Sequence, residues 1–410
     1  GGEEVVGKGK GSAVAAGSGI SERIQAIEDE MRKTQKNKAT EGHLGLLKAK
    51  LAKLRTQRDT VVVSAKGEGF ECSRHGDARI ALLGFPSVGK STLFSLLTNT
   101  TSEVAAYEFT TLTCIPGIID YHQCKLQLLD LPGIIGGAAQ GIGRGRQVIA
   151  VARSADIVLM ILDATRPDAH RAALESELAA CGIRLNQEPP DIYLKKKKTG
   201  GLKITPTVRL TKTSIETVKK ILSEYKVHNC DVILRQDVTI DQVIDVLEGN
   251  RVYLKCLFCY NKIDTIALEE VEELWRRPYS TVISCKLELN LDVLLQEVWN
   301  GLELVRVFTR KPASAPSFED PLVMTRRRGG TAIKNLLQTL HRDLILEFKH
   351  ALVWGRSCLH SPQRVGLAHK LADGDVVQLV KKTPNEVARS KHGRTLTKQG
   401  LLVTQAIDCV

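Results

Sequence analysis

The run Gly84-Phe85-Pro86-Ser87-Val88-Gly89-Lys90-Ser91 constrains this chain more than any other feature. It fits G-x-x-x-x-G-K-[ST], follows the apolar segment 80–83 and precedes a helical run over 92–97, the strand, loop and helix context that the pattern requires. The glycines let successive backbone N–H groups wrap a phosphate. Lys90 can reach β- and γ-phosphate oxygens, Ser91 offers a hydroxyl to magnesium, and the helix adds the positive end of its dipole.

Three further motifs each close a predicted strand, in the order a guanine-nucleotide domain needs. Asp130-Leu131-Pro132-Gly133 supplies a carboxylate for magnesium and the Gly133 N–H for the γ-phosphate, with Ile134 next in the chain. Asn261-Lys262-Ile263-Asp264 brings an aspartate that can accept from both N1–H and the N2 amine of guanine, a donor pair adenine lacks. Ser284-Cys285-Lys286 can give a backbone N–H to guanine O6 and a lysine stem to the base. Between the first two motifs, Thr110, Thr111 and Thr113 offer hydroxyls for the magnesium shell, and spacing alone does not choose among them.

At 410 residues the chain exceeds one compact core, so further domains are expected. Apolar runs at 80–83, 126–129, 157–162, 252–258 and 282–283 alternate with helical stretches and read as buried parallel strands. The interval 163–250 interrupts them with an amphipathic helix over 169–181, a hairpin around Thr199, Gly200 and Gly201, and helices over 214–225 and 240–247. Ile20, Ile24, Ile27 and Met31, then Leu44, Leu47, Leu51 and Leu54, predict two antiparallel helices. Lys33, Lys36, Lys38, Lys48, Lys50, Lys53, Arg55 and Arg58 on their polar faces could grip RNA or be solvated. Pro312, Pro316 and Pro321 mark a linker after a helix over 291–304. Beyond it, strands around 322–324, 351–354 and 376–380 and a helix over 331–348 suggest a small β-grasp domain.

The net charge of +12 suits a cytoplasmic protein that meets a polyanion. No run approaches the roughly 20 apolar residues of a membrane span, so no membrane partner is expected. Cys256 and Cys259 form C-x-x-C, but they lie on a predicted strand where residues three apart face opposite ways, which argues against chelation.

Gly84 to Ser91, Tyr107-Glu-Phe-Thr-Thr-Leu-Thr-Cys-Ile-Pro-Gly117, Leu129-Asp-Leu-Pro-Gly-Ile-Ile135, Gly143-Arg-Gly-Arg-Gln-Val-Ile149 and Phe348-Lys-His-Ala-Leu-Val-Trp-Gly355 together resemble the DRG family, the developmentally regulated GTP-binding proteins of the Obg class. The resemblance covers residues 20–382. It implies an α/β P-loop GTPase domain with an inserted α+β subdomain, an N-terminal helical hairpin and a C-terminal β-grasp TGS domain. The expected boundaries are a flexible tail over 1–19, the hairpin over 20–60, the G domain over 78–166 and 249–310, the insert over 167–248 and the TGS domain over 318–382. Residues 383–410 are expected to be a mostly disordered tail.

By the same resemblance Thr111 joins Ser91 and Asp130 around magnesium, and Lys90, Thr111 and Gly133 serve GTP hydrolysis to GDP. The chain departs from the family at Gly136, where an acidic residue is usual. Ser87 stands where potassium-dependent relatives often carry asparagine, which leaves a potassium site open. The resemblance further implies ribosome or ribosomal-RNA association and a DRG-family regulatory protein. The alternative is a signalling or cytoskeletal switch in which the same domain binds a protein effector such as tubulin on microtubules. The lysine run Lys195–Lys198 separates the two, as an RNA grip or as a charge-protected edge strand.

In Ras-like proteins a glutamine after D-x-x-G orients the attacking water, whereas Ile134 can neither donate nor accept a hydrogen bond. Intrinsic hydrolysis is therefore expected to be slow in sodium and faster with potassium or a regulatory partner. Ile134→Ala should cost only a modest fraction of single-turnover rate. Fast partner-free turnover in sodium that Ile134→Ala abolishes would contradict this.

Overall fold

The computed structural model describes residues 10–35, 37, 40–65, 76–98, 115–131, 152–311, 314–325, 330–341 and 343–382. The chain divides into two compact units: Gly1–Ser73 with Ala81–Lys90 and Leu131–Ser280, and Arg74–Ile80 with Ser91–Asp130 and Thr281–Val410. The tail expected over 383–410 lies outside the described residues.

In the first unit, α1 (Lys10–Lys33) and α2 (Glu41–Ala65) form the expected helical pair. Helix α1 starts at Lys10 rather than near Ile20, so the tail expected over 1–19 is helical from residue 10. Ala13, Ala15 and Ala16 are strong helix formers, and extending a formed helix costs far less than starting one. Ile24 and Leu47 are buried, each worth about 1.5–3 kcal/mol relative to exposure. The opposite side of α2 is not the free basic face that the sequence suggested. Lys48 pairs with Asp241 at 2.7 Å, Lys53 Nζ donates to the Glu224 carbonyl at 3.1 Å, Arg55 pairs with Glu28 at 2.8 Å, and Thr56 donates to Glu248 at 2.8 Å. Gly45 permits this approach, because a Cβ there would stand 3.2 Å from Thr217 Cγ2.

Strand β1 (Ala78–Gly84) is buried at every position, and α3 (Lys90–Thr98) follows its loop. Strand β4 (Ile157–Asp163) is apolar throughout until Asp163, and α4 (Pro167–Ala180) begins with proline at its first turn. The short strand β5 (Ile183–Leu185) then pairs in parallel with β9 (Val252–Asn261), which also pairs in parallel with β4. Helix α4 is thus a crossover between parallel strands. The inserted sheet consequently starts at Ile192 rather than at residue 167.

That sheet has the order β6-β8-β7, from β6 (Ile192–Lys196), β7 (Leu202–Pro206) and β8 (Cys230–Leu234). The hairpin expected at Thr199, Gly200 and Gly201 is not one. β8 lies between β6 and β7, antiparallel to the first and parallel to the second. Helices α5 (Ile215–Glu224) and α6 (Ile240–Glu248) cover one face, with Val218, Ile221, Leu222, Val243 and Ile244 packed on Val232 and Leu234. Both helices are capped by side chains, Ser214 for α5 and a Thr239–Gln242 capping box for α6. Ala49 and Ala52 of α2 belong to the same core, which anchors the hairpin on the insert.

In the second unit, β2 (Ile115–Tyr121) and β3 (Cys124–Asp130) form an antiparallel pair closed by His122 and Gln123, both at positive φ as a two-residue hairpin turn demands. Helix α7 (Leu268–Trp275) belongs to the first unit, and after it strand β10 (Ser280–Val282) leads to α8 (Leu291–Leu302) of the second. A five-stranded sheet of order β12-β11-β15-β13-β14 follows, built from β11 (Leu304–Thr309), β12 (Ser317–Thr325), β13 (Phe348–Trp354), β14 (Gln363–Val365) and β15 (Asp375–Lys381).

The β-grasp sheet therefore takes its first strand from the segment assigned by sequence to the G domain, and it starts at Leu304 rather than at residue 318. Pro316 sits in the β11–β12 connection and Pro321 within edge strand β12, where a missing N–H is tolerated, so these prolines mark no interdomain linker. The single helix expected over 331–348 is two, α9 (Ile333–Leu340) and α10 (Leu344–Glu347), because His341 is fully extended. Ile333, Leu336, Leu337, Ala351, Val353 and Val377 form this domain's core.

One buried ion cluster ties β5 to α6. Asp245 accepts from Arg184 Nε at 2.7 Å, Arg184 Nη2 at 2.8 Å and Arg251 Nε at 3.2 Å. Burial disfavours the Arg184 charge, but the Asp245 hydrogen bonds outweigh it and hold its pKa above the ordinary arginine value. Asp245→Ala would leave two guanidinium groups uncompensated and is expected to destabilise this unit by about 3–5 kcal/mol, read as a lower urea midpoint.

Candidate nucleotide-binding site

Strand β1 delivers the glycine-rich loop, and two backbone features set its path. Ser87 adopts φ 63° and Gly89 φ 94°. At Gly89 both conformation and space demand glycine, since a Cβ there would stand 2.3 Å from Asn261 Nδ2. Val88 is buried, and its carbonyl accepts from Asn261 Nδ2 at 2.8 Å. Lys90 Nζ folds back on the loop and donates to the carbonyls of Gly84 at 2.9 Å and Phe85 at 2.8 Å. The Phe85 ring lies 4.5 Å from the His170 ring of α4, and a Cβ on Gly84 would stand 2.5 Å from the Ile161 carbonyl. Pro86 forms part of the turn between these anchors.

Asn261, buried at the end of β9, therefore holds the phosphate loop and opens the base-reading motif. Its Oδ1 accepts the Lys262 N–H at 2.8 Å, which steadies Lys262 in a left-handed conformation, φ 69°. Asp264 follows, exposed, on a one-turn 3-10 helix (Ile263–Thr265) closed by Thr265 Oγ1 donating to the Lys262 carbonyl at 2.7 Å.

Sequence reasoning did not single out Asp163. The parallel register sets it opposite Asn261, where it receives Lys262 Nζ at 2.7 Å, with Thr165 N and Oγ1 at 3.0 and 2.8 Å. Burial alone would raise its pKa, but the hydrogen bonds from Lys262 and Thr165 prevail and lower it. The available signal was a lone carboxylate closing an otherwise apolar strand.

In the second unit, Ser91 Oγ donates to Asp130 Oδ2 at 3.4 Å, and Asp130 is set at the end of β3 opposite Ile115 of β2. Two hard oxygen donors at this separation fit a magnesium ion. Leu131 is buried beside Asp130. Ser284 and Leu289 exchange backbone hydrogen bonds at 3.3 and 3.0 Å, and Ser284 Oγ accepts the Leu287 N–H at 3.3 Å. This closes a tight loop with Cys285 buried and Lys286 exposed. Thr111, Pro132, Gly133 and Ile134 lie outside the described residues. Cys256 and Cys259 are buried free thiols, and burial raises the Cys256 pKa. Among the described residues no helix is long and apolar enough to cross a membrane.

Residues 79–196 match a family model described as 50S ribosome-binding GTPase, 199–304 one described as the C-terminal region of that domain, and 305–381 the TGS domain. Developmentally-regulated G-protein 2 of Arabidopsis thaliana is 55% identical over 370 residues, covering 90% of this chain and 93% of its own. Human developmentally-regulated GTP-binding protein 2 is 56% identical over 366 residues, covering 89% of this chain and all of its own. Among solved structures, the YchF GTPase of Schizosaccharomyces pombe is 14% identical with a TM-score of 0.42, covering 75% of this chain and 99% of its own.

Removing the Asn261 side chain leaves the Val88 carbonyl and the Lys262 N–H without the partner that orders both motifs. Asn261→Ala is expected to lower stability by about 1–3 kcal/mol and to weaken GDP binding, measured by calorimetry. Unchanged affinity would show that the loop holds its shape without this clamp.

Proposed function

The chain belongs to the developmentally regulated GTP-binding protein family and carries a GTP-hydrolase domain, and from that premise we propose that it acts as a nucleotide-controlled switch in translation. In this reading it works in the cytoplasm on the ribosome, with a regulatory protein of its family as partner. The observation that carries it is the match of residues 79–196 to a family described by ribosome binding, and the net charge of +12 fits a polyanionic partner.

At the site, backbone N–H groups of 84–90 cradle the phosphates and Lys90 leaves its loop carbonyls for the β and γ oxygens. Ser91 and Asp130 hold magnesium, with Thr111 as the third side-chain donor. When bound, magnesium neutralises charge on the β- and γ-phosphate oxygens. The Gly133 N–H meets the γ-phosphate. Asp264 accepts from guanine N1–H and the N2 amine, while Ser284, Cys285 and Lys286 close over the base. Asn261 and Asp163 act by position: one fixes the loop, the other fixes Lys262. Because Ile134 can neither donate nor accept a hydrogen bond, the contact that orients the water would come from a potassium ion or from the regulatory partner.

Guanine reading by Asp264 gives the test. Wild-type protein should sediment with ribosomes when loaded with a non-hydrolysable GTP analogue, whereas Asp264→Asn should do so only with the xanthosine analogue. Undiminished GTP affinity in Asp264→Asn would move the base site elsewhere. Nucleotide-dependent sedimentation with microtubules instead of ribosomes would replace the translational reading.

A further inference from the structure

The β6-β8-β7 sheet has two faces of different character, and among the described residues only one is covered by helices. Ile192, Leu194, Leu202 and Ile204 point into the core beneath α5 and α6. Alternation turns Tyr193, Lys195, Lys203 and Thr205 to the other side. The register aligns these outward residues in two rows across the sheet. Tyr193, Ile233 and Thr205 form one, and Lys195, Asp231 and Lys203 the other.

The first row carries an aromatic ring, a half-buried isoleucine and an exposed threonine. Tyr193 is 47% exposed, an uncommon position for an aromatic ring in the middle of a solvent-facing strand. The second row is cationic. Asp231 is its single carboxylate and is engaged by Lys197 at 2.5 Å. Among the described residues, Lys195 and Lys203 have no ion-pair partner. Charge that merely guards a sheet edge would account for Lys195 on β6. The same reasoning covers Lys203 on the other edge strand, β7, but it does not account for the exposed ring of Tyr193.

An exposed aromatic beside lysines on an open sheet is the chemistry that takes single-stranded nucleic acid, with bases stacking on the ring and phosphates meeting the ammonium groups. We propose that this face of the insert binds single-stranded RNA, with Tyr193 as the stacking platform and Lys195 and Lys203 as the phosphate contacts. The choice of RNA rests on the translational reading above, while the surface itself is argued from the sheet alone. An acidic protein would be met by the same lysines, but it would gain little from a planar ring and would not distinguish tyrosine from leucine.

The test is fluorescence anisotropy of the full chain with a labelled oligouridylate of about ten residues, within the 4–16 nucleotides such surfaces accept. Tyr193→Ala should weaken binding about tenfold or more, Tyr193→Leu should do nearly the same, and Tyr193→Phe should bind like wild type. The Lys195→Ala/Lys203→Ala double variant should flatten the dependence of log affinity on log salt by about 1.4, since each phosphate contact to a single strand contributes about 0.7. All three substituted residues lie on the outward face of the sheet, so GDP binding should be unchanged in every variant. Equal affinity of Tyr193→Leu and Tyr193→Phe, an unaltered salt slope in the double variant, or tighter binding to a duplex of the same length would each overturn the proposal. If wild-type protein sediments with ribosomes yet ignores the oligonucleotide, the sheet proposal fails and the translational reading stands. Specific oligonucleotide binding without ribosome sedimentation supports the sheet proposal and removes the translational reading.

Discussion

The bond from Asn261 Nδ2 to the Val88 carbonyl is the constraint on which the nucleotide-binding half of the first unit turns. A phosphate loop is useful only if its N–H groups converge, which forces strained backbone at Ser87 and Gly89. A buried amide can hold that strain, because each of its hydrogen bonds is expensive to lose where water cannot replace it. The Asn261 amide oxygen accepts from the Lys262 N–H, so the conformation of one motif is written into the other. Asp163 completes the arrangement from the neighbouring strand.

That the candidate site's motifs stand at strand ends was legible in the sequence because those motifs are local. Gly84 to Ser91, Asp130 and Asn261 to Asp264 each close or follow a strand, and backbone geometry does the rest. Asp163 escaped because its role comes from register, and a strand does not announce which neighbour it will face. The insert shows the same limit. Its helices were read from periodicity, yet the turn at Gly200 and Gly201 suggested a hairpin that the sheet replaces with a crossover, because β8 arrives from a later segment to sit between β6 and β7. Prolines misled at 316 and 321 for a related reason: they signal a break in hydrogen bonding, and an edge strand provides one as readily as a linker.

The hairpin lysines illustrate how charge count differs from charge availability. Lys48, Lys53 and Arg55 read in the sequence as an RNA grip or a solvated face, and they are instead side chains that bond α2 to α1 and to the insert. Small residues made that possible: Gly45, Ala49 and Ala52 bring the α2 backbone close enough for long side chains to reach across. The Lys48–Asp241 pair is exposed and contributes little by itself, so the apolar contacts of Ala49 and Ala52 carry the docking.

Helix α8 connects two parts of the second unit without slack. It begins one residue after Asn290, whose side chain bonds the Val282 carbonyl in the Ser284–Leu289 loop region, and it ends one residue before β11, with Glu303 alone between them in a left-handed conformation. Trp299 on its surface meets the rings of Tyr121 and His122 at 5.8 and 5.1 Å, and Arg306 of β11 lies over the same indole at 5.4 Å. With no flexible spacer to absorb a rotation, a tilt of this helix becomes a displacement of the β-grasp sheet. The helix is a crankshaft: its one end follows the Ser284–Leu289 loop, its middle meets the β2–β3 turn, and its other end passes straight into the first strand of the β-grasp sheet.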